Sequence, residues 1–126
     1  MRSADPVKPV VLLVEDEPLI LYMALDMLED AGLEGVPAEN AEEAVRILQN
    51  RDDIGAVFTD VDMPGSMNGI ALARLVGQRW PELPVLLTSG HIRVGRSALP
   101  PNSTFFPKPY DIDKVRDFLL EAIHDP

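Results

Sequence analysis

In Val10-Val11-Leu12-Leu13-Val14-Glu15-Asp16-Glu17-Pro18, five apolar residues run without alternation straight into three acids and a proline. A short, β-branched, unalternating run suits a strand covered on both faces, and such strands belong to parallel sheets flanked by helices. The abrupt change to Glu15-Asp16-Glu17 marks the strand's end, and Pro18 suits the first turn of a helix, where its missing N–H costs nothing. Ile20, Met23, Ala24, Met27, Leu28 and Ala31 then recur at helical spacing, with Gly32 as the stop. On this spacing Met23 and Met27 read as core.

The same alternation repeats outward from that opening unit. A weak strand is expected over Glu34 to Ala38, and Asn40 with Glu43 three positions on makes a capping-box arrangement. The helix it opens carries Ala41, Ala44, Val45 and Leu48 on one stripe. Ala56 to Thr59 reads as a third strand ending at Asp60, followed by the turn Met63-Pro64-Gly65 to Gly69 and a helix from about Ile70 to Arg79. Pro84 to Thr88 reads as a fourth strand, ending at Ser89-Gly90. Arg93 to Leu99 has room for one or two helical turns before Pro100-Pro101 stops them. Thr104-Phe105-Phe106 is a short fifth strand, and Asp111 caps a last helix with Val115, Phe118, Leu119 and Ala122 on its apolar face. Five strand–helix alternations specify an α/β fold with a five-stranded parallel sheet. No repeat or linker divides it, so residues 1–9 read as a tail and 10–124 as one domain.

Composition narrows the functions available. The 126 residues carry 21 acidic against 11 basic side chains, a formal net charge of −10. Nucleic-acid binding draws on Lys and Arg contacts to phosphates, and docking on an anionic membrane needs the same sign, so neither fits. With no cysteine, disulfides, zinc thiolate sites and thiol catalysis are excluded. Met1 to Pro9 does not read as a signal peptide, and Val10 to Val14 is far too short to span a bilayer. A cytoplasmic protein is the expectation.

In a parallel sheet, ligands bind beyond the carboxyl ends of the strands. Here those ends are polar: Glu15 and Asp16 after the first strand, Asp60 after the third, Ser89 after the fourth, and Lys108 after the fifth. Three carboxylates brought together repel one another unless a cation joins them. Mg²⁺ characteristically takes one or two carboxylates together with phosphate oxygens and water. An aspartate beside such an ion, with a lysine and a hydroxyl near, suits nucleophilic attack on phosphorus to give an acyl phosphate. Phosphoryl transfer asks mainly for charge neutralised around the equatorial oxygens, which Mg²⁺ and Lys108 supply, with the Ser89 hydroxyl on a third oxygen.

These residues resemble the response-regulator receiver family over essentially the whole length, from Val10 to about Ile123. The matching features are Glu15-Asp16, the segment Asp60-Val61-Asp62-Met63-Pro64-Gly65 running to Gly69, Ser89, and Lys108-Pro109. The resemblance implies a flavodoxin-like (βα)5 fold with strand order 2-1-3-4-5. It implies Asp60 as phosphoacceptor, with Mg²⁺ held by the side chains of Asp16 and Asp60, by the backbone carbonyl of Asp62, and by Glu15 through water. Ser89 would be the switch hydroxyl, Phe105 the aromatic switch residue and Lys108 the phosphate-binding lysine, its bond to Pro109 cis. The implied donor is a histidine kinase or histidine phosphotransfer domain, and the output a change of protein contact or onward relay of the phosphoryl group. The likeness is to the stand-alone type, with the downstream partner unspecified and a homodimer left open. A receiver cut from a longer hybrid protein fits the sequence equally.

The sequence departs from the family pattern at two places. Ser stands where Thr is commoner, and the chain between Ser89 and Phe105 is short and carries Pro100-Pro101, so the fourth helix is expected to be short or irregular. Two other functions compete. A phosphohydrolase of the haloacid-dehalogenase type would use Asp60 and Asp62 as its aspartate pair, although the pair follows the third strand instead of the first. A receiver-like scaffold would bind a partner without being phosphorylated.

Overall fold

The computed structural model describes residues 8–63, 65, 67–90 and 99–124. Nine elements follow one another: β1 (Val10–Val14), α1 (Pro18–Asp30), β2 (Glu34–Ala38), α2 (Ala41–Asn50), β3 (Ile54–Asp60), α3 (Gly69–Arg79), β4 (Val85–Ser89), β5 (Ser103–Pro107) and α4 (Ile112–His124). The five strands form one sheet in the order β2-β1-β3-β4-β5, and every neighbouring pair is parallel. The short helix expected between β4 and β5 falls almost wholly outside the described residues, so the last helix is here α4.

The unalternating strands are central, as their composition requires. β1 and β4 are buried at every position, and the β1 residues face two separate cores in turn. Leu12 and Val14, with Val57, Val85 and Leu87, pack against α2 and α3 on one side. Val11 and Leu13, with Phe58 and Leu86, pack against α1 and α4 on the other. The edge strands differ: β2 and β5 are only partly buried and carry Pro37 and Pro107. A proline lacks the N–H that a ladder needs and is confined to such edges, where it also discourages pairing with another chain.

Helix ends follow their sequence signals. Gly32 sits at φ 84° just past α1, a left-handed position that costs other residues energy. Its N–H donates to the Glu29 carbonyl and that of Leu33 to the Leu28 carbonyl, closing both bonds of a Schellman turn. The Asn40 side chain accepts from the Glu43 N–H at 2.8 Å. Glu43 reaches back to the Glu39 N–H at 2.7 Å, one residue before the box's usual target. Asp111 caps α4 through the Asp113 N–H.

One expectation fails. Met23 is 64% exposed and Ile20 42%, while Leu21, Ala24 and Leu28 are the residues of α1 that are buried. Met27 is only partly buried. The helix is apolar on most of its circumference near its start, so period alone leaves its rotation ambiguous. Ala24 and Leu28 are buried as the spacing expects, and Leu21 takes the place given to Ile20.

Candidate functional site

Strand register brings the site together. Val14 pairs with Thr59 and Asp60 with Thr88, so one step beyond the β1–β3 ladder puts Glu15 beside Asp60. Ser89 pairs with Pro107, which places Lys108 at the same edge. All the polar ends named from the sequence therefore meet at the carboxyl rim.

The carboxylates are crowded and poorly hydrated. Glu15, Asp16 and Asp60 each offer an oxygen within 4.8 Å of the others'. Glu15 is 5% exposed and Asp60 9%, unusually buried for acids. Burial pushes the Asp60 carboxyl above its ordinary value; Lys108 and the Asp62 N–H oppose this, and the charges of Asp62 and Asp16 add to it. Burial likewise raises Glu15, against a hydrogen bond from the Glu17 N–H at 3.0 Å and with Asp60 adding to the rise. Lys108 Nζ stands 3.7 Å from Asp60 Oδ2, too far for a hydrogen bond and close enough to attract. One lysine cannot offset three carboxylates, so the donor set is all oxygen and carries net negative charge. That set fits a hard divalent cation such as Mg²⁺.

Around this cluster, Asp62 N–H donates to Asp60 Oδ1 at 3.4 Å, and Ser89 Oγ donates to Asp62 Oδ2 at 2.8 Å. The Lys108 N–H donates to the Ser89 carbonyl at 3.0 Å, and the Lys108–Pro109 bond is cis. Phe105 lies beside Leu87 in register, half-buried against the core on the α2 and α3 side. Thr88 is buried next to Asp60 in register, its hydroxyl without a partner among the described residues.

Sequence reasoning missed one supporting residue. Tyr110 packs edge-on against Phe58 at 5.8 Å, and its hydroxyl is pushed up by burial and by Glu15 and Asp60. Its place after Lys108-Pro109 was the only signal. Gly69, which ends the turn segment that carries the resemblance, has a packing role that the sequence does not reveal. In the structure it lies against the backbone of Asp60 and Val61, so closely that a Cβ there would overlap the Asp60 carbonyl oxygen. Asn68 begins α3 by accepting from the Ala71 N–H at 2.9 Å. An open groove of about 900 Å³ lined by Leu48, Ile54, Trp80 and Leu83 lies at the opposite, amino end of the sheet, away from all these groups.

The family model of the response regulator receiver domain matches residues 11–119. The chain belongs to this family. Among curated relatives, the receiver is 32% identical over 117 residues to the DNA-binding transcriptional regulator NtrC of Escherichia coli (strain K12), covering 90% of this chain and 24% of that protein. It is 37% identical over 82 residues to the sensor protein TorS of the same strain, covering 65% of this chain and 9% of that protein. The receiver thus spans a quarter or less of the relatives it matches. The crystal structure of the receiver domain of NtrX from Brucella abortus has 29% identity and a TM-score of 0.81, covering 92% of this chain and 99% of that one. The receiver domain of the hybrid histidine kinase CckA has the same identity with a TM-score of 0.74, covering 91% and 99%. This match leaves the phosphohydrolase alternative without support. No helix among the receiver's described residues is long and apolar enough to cross a membrane.

Proposed function

We propose that this receiver, residues 10–124, accepts a phosphoryl group on Asp60 from the histidine of a histidine kinase or phosphotransfer domain. The observation that carries the reading is Asp60 standing 3.7 Å from Lys108 while sharing an oxygen cluster with Glu15 and Asp16. Asp60 forms a new oxygen–phosphorus bond as the phosphorus–nitrogen bond to the donor imidazole breaks, and the electron pair of that bond returns to the ring nitrogen. Lys108 takes charge on one equatorial oxygen, and the rim's backbone holds Asp60 in line. Glu15, Asp16 and Asp60, with the Asp62 carbonyl, are the groups that would hold Mg²⁺, which neutralises the remaining phosphoryl charge when bound. Ser89 and Phe105 are the switch pair that reports the phosphoryl group to the surface.

In this reading the chain has no turnover beyond its own phosphorylation and dephosphorylation. It works in the cytoplasm through protein partners, with no role for nucleic acid or membrane. The NtrC, TorS and CckA resemblances support a place in histidine-to-aspartate signalling. The test is mass spectrometry after acetyl phosphate and Mg²⁺. One added phosphoryl group per chain is expected, and none in Asp60→Asn. An unmodified wild-type chain, or equal labelling of Asp60→Asn, would overturn the reading.

A further inference from the structure

Four residues of the rim close a ring. The Asp62 N–H donates to Asp60 Oδ1, the Ser89 hydroxyl donates to Asp62 Oδ2, the Lys108 N–H donates to the Ser89 carbonyl, and Lys108 Nζ returns to Asp60 Oδ2. The last contact, at 3.7 Å, is the loose one, and it is where a phosphoryl group on Asp60 would enter. The tightest side-chain contact is Ser89 to Asp62 at 2.8 Å, a hydroxyl given to a carboxylate. Hydrogen bonds to charged groups are the stronger kind.

Ser89 is 2% exposed, so its hydroxyl exchanges one partner within the site for another and not for bulk water. Asp62 is exposed, and water replaces what it loses at little cost. The two ends of the bond are therefore unequal, and the serine end decides whether it persists. We propose that the Asp62 carboxylate is a latch: it holds the Ser89 hydroxyl in the resting state and competes for it with the phosphoryl oxygen on Asp60. The proposal rests on the phosphoacceptor reading above. Asp62 is then a positioning residue, acting through Ser89. It sets how much of the binding energy of the phosphoryl group is used to release the hydroxyl, and so how far the switch moves.

Removing the Asp62 charge would also relieve plain repulsion of an anion, so the test must separate latch from charge. Beryllium fluoride with Mg²⁺, a phosphoryl mimic, is titrated by calorimetry into the wild-type chain, Asp62→Ala and Asp62→Asn, each with Ser89 and with Ser89→Ala. Circular dichroism melts confirm folding of each variant. Repulsion acts in both backgrounds; the latch acts only where the serine is present. The expected result is a gain in affinity from Asp62→Ala that is roughly fivefold larger with Ser89 than with Ser89→Ala, the ratio that a net hydrogen bond of about 1 kcal/mol produces. Asp62→Asn, which keeps an acceptor oxygen, should gain less than Asp62→Ala. Equal gains in the two backgrounds, or equal gains from Ala and Asn, overturn the latch alone. A wild-type chain that binds no beryllium fluoride overturns the phosphoacceptor reading together with the latch.

Discussion

Asp53 and Asp60 flank one strand, β3, and their surroundings make them opposites. Asp53, just before the strand, accepts two bonds from Arg51, at 2.8 and 2.6 Å, in open solvent. That pairing holds its carboxyl below the ordinary value. Asp60, at the far end, is 9% exposed, has its nearest cation at 3.7 Å, and is pushed up by burial. The amino end of the strand spends its charges on each other. The carboxyl end leaves an excess that only an added ligand can neutralise, which is what a binding site needs and a stable fold does not. If the contrast holds, packing at the rim should matter most, rim charge next, and the charges at the other end hardly at all.

The largest effect is expected from Gly69→Ala. The new Cβ would overlap the Asp60 carbonyl oxygen and press on the Val61 Cα, and both are backbone held in the sheet by the Val61 N–H bond to Thr88. Because backbone cannot swing aside, a loss of about 3 kcal/mol is expected, read as a lowered urea midpoint. A midpoint like the wild type's would mean the α3 start yields easily, and the rim would not be the rigid partner in the comparison. Next comes Lys108→Met, which keeps the stem and removes the charge facing Asp60. Labelling by acetyl phosphate should slow by roughly ten- to a hundredfold, the scale for losing one preorganised electrostatic contact. An unchanged rate would remove Lys108 from the site's chemistry.

How much of this contrast could be read from the sequence depended on whether a feature was local. The strands were legible because runs such as Val10–Val14 are apolar on both faces, and the rim followed because a parallel sheet aligns strand ends without any knowledge of side-chain packing. Asp60 and Lys108 were placed together by that rule alone. On α1 the spacing places Ala24 and Leu28 correctly but not Ile20 and Met23, because these, like Leu19 and Tyr22, are apolar yet exposed, and no pattern within the helix distinguishes them from the buried Leu21. The Ser89–Asp62 bond joins residues 27 apart. Which oxygen a hydroxyl chooses depends on ångström-scale placement that spacing does not encode. Tyr110 was missed for the same reason: its partner Phe58 lies on another element.

A smaller effect tests the charge imbalance directly, in metal-free protein. Asp60 and Glu15 are both raised above their ordinary values of 3.8 and 4.5. Below the unfolded-state value each carboxyl is protonated in both states and contributes nothing. Between that value and the raised folded one, the folded chain holds the extra proton, so stability falls as pH rises; above it the loss is complete. Stability with chelator should therefore fall from about pH 4 upward more steeply in the wild type than in Asp60→Asn. At pH 7, Mg²⁺ at ten times its Kd should restore about 1.4 kcal/mol to the wild type. Identical pH slopes in the two proteins would show that the rim tolerates its charge unaided.

The least effect should come from the same substitution at the other end of the strand, Asp53→Asn. Here the linkage has the opposite sign, since a lowered carboxyl contributes stability above its unfolded-state value and loses it as pH falls. The contribution is nonetheless slight, because the two side chains are 36% and 50% exposed and the attraction is screened by water and salt. The urea midpoint should stay within error of the wild type at pH 7, and at high salt any residual difference should vanish. Measured beside Asp60→Asn, the pair of substitutions isolates environment from residue type: identical chemistry at two ends of one strand, stabilising the metal-free fold at one end and neutral at the other. A loss at Asp53 as large as the gain at Asp60 would show that Arg51 anchors the entry to β3, and exposure would then no longer account for the difference between the two ends.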